Sequence, residues 1–223
     1  MIPWETLDTA TILGGAETLR LKRRGTEFSI MLGANELMNS RLSGSEEALA
    51  RLTIERLQVP APRVLIGGLG LGFTLRAALP LLPPAAKVTV VELVPAVVAW
   101  ARGPLAALHG ESLDDKRVTI LEEDVGQTIR AAKSDWDAIL LDVDNGPEGL
   151  SRDGNDALYS TAGLAAARAA LAPGGVLSVW SAGPDAQFTR RLKASGLGVE
   201  EIAVRAGTTK RGARHVVWVG RKG

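Results

Sequence analysis

Arg63-Val-Leu-Ile-Gly67-Gly68-Leu69-Gly70-Leu71-Gly72 reads as a short buried strand running into a glycine-rich turn, with a helical segment over residues 71–82 directly behind it. Glycines let the backbone turn tightly and approach a ligand closely, and the amino end of the helix beyond them offers unpaired N–H groups. Alone, the pattern is also that of a strand-to-helix turn with no ligand. Glu92 adds weight to the binding reading. It ends the next apolar run, residues 87–92, about twenty residues past the glycines, where a carboxylate accepts hydrogen bonds from both hydroxyls of a ribose.

The same rhythm continues downstream. Strands are predicted over 117–122, 136–142, 174–181, 199–204 and 214–220, and helices over 95–108, 125–132, 160–171 and 184–195. Apolar strands alternating with amphipathic helices predict an α/β, doubly wound, mostly parallel sheet covered on both faces. Only residues 205–213 separate the last two strands, too few for a helical crossover, so these strands should form an antiparallel hairpin. A seven-stranded sheet closed in this way resembles the Rossmann-like class I methyltransferase arrangement; an ordinary dinucleotide-binding domain is not expected to end so.

Upstream, the Pro60-Ala61-Pro62 segment interrupts helix and separates two patterns. Residues 17–25 and 26–40 read as short strands with turns at Arg24-Gly25 and Gly33-Ala34-Asn35, a small antiparallel sheet. Ser43 or Ser45 can cap a helix over 45–57, with Glu46 and Glu47 in its first turn, where the helix dipole favours negative charge. The expected organisation is a β-rich appendage over 1–44 and a Rossmann-like domain over 45–223.

Composition narrows the function classes. The 223 residues, 46% hydrophobic and 23% charged, suit one main domain plus an appendage. Twenty-six basic and 25 acidic side chains leave a net charge of +1, so no global field draws in nucleic acid or a membrane surface. With no cysteine and only His109 and His215, no metal site is expected, and both histidines read as structural. The first residues show neither a basic nor an apolar signal region, and no apolar run is long enough to span a membrane, so a cytoplasmic location is expected. The five tryptophans read as packing residues, and strand edges in the appendage are where a homodimer would form.

Two further elements carry chemistry. Asp124 opens the helix after the third strand of the main sheet and serves either as its cap or as an acceptor for a ligand amino group, roles that can coexist. The fourth strand ends in Leu141-Asp142-Val143-Asp144-Asn145-Gly146-Pro147, placing Asp142 and Asp144 at the carboxyl edge of the sheet. One of these carboxylates is a candidate general base for a polar or cationic substrate, and a solvated acidic loop is the plainer alternative.

In order and spacing, residues 64–76, 88–95, 120–129 and 138–149 resemble the polyamine aminopropyltransferases, the spermidine synthase-like branch of the class I fold. The resemblance implies an enzyme using S-adenosylmethionine or its decarboxylated form and a small-molecule acceptor, an amine in the polyamine case. It implies that Gly67, Gly68, Leu69, Gly70 and Gly72 line the adenosyl compound. Glu92, with Leu93 beside it, takes the ribose, and Asp124 and Val125 meet the adenine. Asp142 matches the catalytic aspartate at the cofactor's edge, with Asp144 as its helper. One departure bears on the group transferred. Spermidine synthases commonly read G-G-G-D-G-G in the first loop, where the aspartate faces the aminopropyl ammonium; Gly70 stands there instead. Losing that acid favours intact S-adenosylmethionine and methyl transfer, with aminopropyl transfer to a polyamine and non-catalytic binding as alternatives. A nicotinamide-dependent reading shares the glycine loop but not the closing hairpin.

Overall fold

The computed structural model describes residues 2–12, 18–143, 146–147, 157–207 and 213–223. At its centre lies a seven-stranded sheet of order β10-β11-β9-β8-β5-β6-β7. Its strands are β5 (Arg63–Gly67), β6 (Lys87–Glu92), β7 (Val118–Glu122), β8 (Trp136–Leu141), β9 (Leu171–Ser181), β10 (Gly198–Arg205) and β11 (Arg214–Arg221). Strands β5 to β9 pair in parallel, and β11 runs antiparallel to both β9 and β10. The closing hairpin expected from the short 205–213 link is present.

Side-chain alternation along the strands explains why both faces are covered. Val64 and Ile66 of β5, with Ala138 and Leu140 of β8, enter one apolar cluster, while Leu65, Ile139 and Leu141 enter the other. Strands buried on both faces need helices on both. The first face is covered by α1 (Gly44–Ile54), α2 (Phe73–Ala78) and α3 (Pro95–Arg102); the second by α5 (Val125–Ala131), α6 (Thr161–Ala170) and α7 (Ala186–Ala194).

Two helices are shorter than their periodicity suggested. The run over 95–108 divides into α3 and a single turn, α4 (Ala106–His109), because Gly103 ends α3 and Pro104 follows. Helix α2 passes into a 3-10 turn at Leu79–Leu81, where Pro80 stands. Among the described residues no helix is long and apolar enough to cross a membrane.

The amino-terminal sheet has order β1-β2-β3-β4, all antiparallel, formed by β1 (Glu5–Thr11), β2 (Thr18–Arg24), β3 (Glu27–Leu32) and β4 (Asn35–Asn39). Strand β1 was not anticipated: its burial is slight, so its sequence shows little apolar alternation. It is anchored from outside, by the indole N–H of Trp100 on α3 donating to Asp8 at 2.7 Å. Leu19, Leu21, Ile30 and Leu32 of this sheet join Val90, Val94 and Val97 in the first cluster, so the small sheet roofs the carboxyl edge of β6. Helix α1 is fixed to β9 by a buried hydroxyl pair, Thr53 donating to Ser178 at 2.7 Å.

Candidate functional site

The glycine loop sits where the strand order reverses, with β6 on one side of β5 and β8 on the other, the position at which open α/β sheets hold ligands. It is pinned to both neighbours: Gly68 N–H donates to the Val91 carbonyl at 2.8 Å, and Asp142 N–H donates to the Gly67 carbonyl at 2.9 Å. Gly68 has φ of +88°, and a Cβ there would lie 2.4 Å from the Asp142 carbonyl oxygen. Only glycine lets β8 approach this closely.

A cavity opens above the loop. Gly68 and Gly70, Glu92 to Val94, Asp124, Val125 and Asp142 form its floor and walls; Leu19, Ile30, Leu32 and Met38 of the small sheet form its roof. The acidic groups therefore stand at strand ends beneath an apolar lid, a combination that suits a nucleoside with its base against the lid and its hydroxyls toward carboxylates. Glu92 is 8% exposed and accepts from Leu69 N–H and Val94 N–H, each at 2.9 Å. Burial holds its carboxyl above the usual range despite those bonds. Glu92 thus braces the glycine loop from the end of β6. Asp124 lines the cavity while accepting from Gly126 N–H at 2.7 Å, so it caps α5 as well. Gly67 stands apart from the lining, packed between the side chains of Leu141 and Val125.

A second cavity adjoins the first. Leu69 to Phe73, Asp142, Leu37, Met38, Glu46 and Trp180 line it, and Asp142, Gly70, Leu37 and Met38 belong to both. Asp142 is half-buried and accepts from the Thr74 hydroxyl at 2.6 Å. Burial first, and the neighbouring charge of Glu46 second, push its carboxyl up to about 7, against the opposing effect of Thr74. Asp144 and the acidic positions Asp153 and Asp156 lie outside the described residues.

Sequence reasoning missed Thr74, Met38, Trp180 and Glu46 as site residues. Thr74 and Trp180 carried no signal beyond core patterning. Glu46 did carry one: it precedes Leu49, Ala50 and Thr53 by three, four and seven residues, so it shares their buried face of α1.

The strand order and closing hairpin define the Rossmann-like fold of the class I methyltransferases. The profile of the spermine/spermidine synthase domain matches residues 45–188, so the chain belongs to that family. Among curated proteins, a polyamine aminopropyltransferase of Mycobacterium tuberculosis (strain CDC 1551 / Oshkosh) is 36% identical over 128 residues, 56% of this chain and 23% of the relative. Polyamine aminopropyltransferase 1 of Streptomyces coelicolor is 36% identical over 130 residues, 57% of this chain and 24% of the relative. The Sulfolobus acidocaldarius polyamine aminopropyltransferase is 32% identical over 97 residues, 44% of this chain and 32% of the relative. These matches span about a quarter to a third of the relatives' length. A spermidine synthase solved in complex with the transition state analogue AdoDATO shares the fold, with a TM-score of 0.77 at 20% identity over 98% of this chain and 72% of that one. Spermidine synthase from Thermotoga maritima superposes with a TM-score of 0.76 at 20% identity and the same coverage.

Proposed function

We propose that the chain is an aminopropyltransferase: it joins a small amine to the aminopropyl group of decarboxylated S-adenosylmethionine. The observation that carries this reading is the meeting of the two cavities at Asp142, one suited to a nucleoside and the other lined by carboxylates. Names of the related proteins support the same reaction over methyl transfer. In this reading Glu92 and Asp124 hold the nucleoside, and the apolar roof keeps water from the reacting carbon. Asp142 accepts a proton from the amine. The freed nitrogen lone pair forms a bond to the carbon attached to the sulfonium, and the carbon–sulfur electron pair leaves on sulfur as a neutral thioether. A carboxyl titrating near 7 is matched to taking that proton at neutral pH. The remainder of catalysis is alignment of the two reactants.

Methyl transfer from intact S-adenosylmethionine is the second reading, and one feature favours it. A Cβ at Gly70 would lie 2.8 Å from Met38 Sδ, so a thioether stands where a side chain at that position would project. Incubation with putrescine and each cofactor in turn, followed by mass spectrometry, decides between them. Spermidine formed only from the decarboxylated compound supports aminopropyl transfer; a methylated amine formed only from the intact compound replaces it with the second reading.

A further inference from the structure

The acceptor cavity holds more charge than the reaction step above requires. Glu46 enters it from the first turn of α1 and Asp142 from the end of β8, two carboxylates facing one space. Like charges so placed repel, and a bound cation between them would relieve both. Glu46 is also held in position. The Ser45 hydroxyl, fully buried, donates to Glu46 Oε2 at 2.6 Å and meets His215 Nδ1 at 2.9 Å. Ser45 lies inside the first turn of α1, behind the cap position held by Ser43, so its hydroxyl is directed to Glu46 and His215 rather than to capping the helix. The His215 ring packs edge-on against Trp180, with centroids 4.9 Å apart. Trp180 lines the same cavity, is 7% exposed, and its indole N–H has no partner among the described residues, an unmet donor at a place built for a ligand.

We propose that Glu46 is a second substrate-holding carboxylate, forming with Asp142 an anionic clamp for a cationic nitrogen of the acceptor, and that His215 positions it through Ser45. The proposal rests on the aminopropyltransferase reading and adds the residue that selects a charged acceptor. Other charged groups on elements packed against α1 are Arg76 on α2, Asp137 on β8, Glu200, Glu201 and Arg205 on β10, and Arg214 and Arg221 on β11; none of them lines this cavity.

The test is Glu46→Gln, which keeps shape and removes charge. Its KM for putrescine should rise by about tenfold or more, with kcat changed by less than about threefold, since the proton acceptor remains. Affinity for the adenosyl compound should not change, because Glu46 lies outside that cavity, and this also reports an intact fold. Ser45→Ala should raise KM by a smaller factor. An unchanged KM in Glu46→Gln, in a wild-type protein that does alkylate putrescine, overturns the clamp and leaves the functional reading standing. Loss of adenosyl affinity in the same variant assigns Glu46 to the fold and also overturns it. A wild-type protein that alkylates no amine removes the functional reading first, and the clamp with it.

Discussion

Thr74 Oγ1 on α2 donates to Asp142 Oδ2 at 2.6 Å, and this bond restrains a carboxyl that burial and Glu46 drive up to about 7. Thr74→Val removes the donor while keeping the branched shape, so the charged form of Asp142 loses support and its pKa rises further. The acid limb of the kcat/KM profile should move up by about one pH unit. Activity at pH 7 then falls several-fold and recovers in more alkaline buffer, as a pH–rate series would show.

Replacing the carboxylate itself separates chemistry from binding. Asp142→Asn should lower turnover by about 10²–10⁴, the usual contribution of a positioned base. Its affinity for the adenosyl compound, measured by calorimetry, should stay within about threefold. Turnover equal to wild type would remove Asp142 from the reaction.

Glu92 has a structural duty beside its place in the first cavity. Glu92→Ala leaves the N–H groups of Leu69 and Val94 without their acceptor in a buried setting. The expected cost is about 2–4 kcal/mol of stability, read from urea unfolding. Adenosyl binding should weaken at the same time, since the loop loses its brace and the ribose loses a carboxylate.

Position 70 can be rebuilt to test the cofactor tail. Gly70 has φ of +49°, a region aspartate tolerates, but the new side chain would meet Met38. Gly70→Asp alone should therefore lower the melting temperature. Paired with Met38→Ala, it should regain stability and shift preference toward the decarboxylated compound by about tenfold, measured by competition calorimetry.

His109 makes stability depend on pH. The ring is 1% exposed, neither nitrogen has a partner among the described residues, and burial followed by the charge of Arg76 pushes its pKa down to about 4. The unfolded chain, titrating near 6.5, binds the proton that the folded chain refuses between these values. Stability is therefore full above pH 6.5 and declines as pH falls toward 4, by up to about 3 kcal/mol. Urea midpoints for wild type and His109→Met at pH 7.5 and 4.5 should differ in slope, with the variant less sensitive. Equal pH dependence in both would assign the effect to other groups.

The order of strands and helices was legible because each depends on patterns a few residues long. Alternating apolar residues at 64–66 and 138–141, the glycines at 67–72 and the short link over 205–213 each constrain only nearby backbone. The positions of Glu92 at a strand end and Asp124 at a helix start were legible for the same reason. The slight burial of β1 hid it, and Gly103-Pro104 set a helix break that apolar periodicity alone overran.

What the sequence by itself determined is therefore the doubly wound sheet, its closing hairpin and the placing of Asp142 at a strand end beside the glycine loop. Tertiary structure alone decided what surrounds that carboxylate: Glu46 and Met38 from before the main sheet, Thr74 from α2, and Trp180 and His215 from its far strands. These residues lie far apart along the chain and share no local periodicity. Packing of α1 and the small sheet over the strand edge brings them together, and with that packing come the burial and opposing charge that tune Asp142.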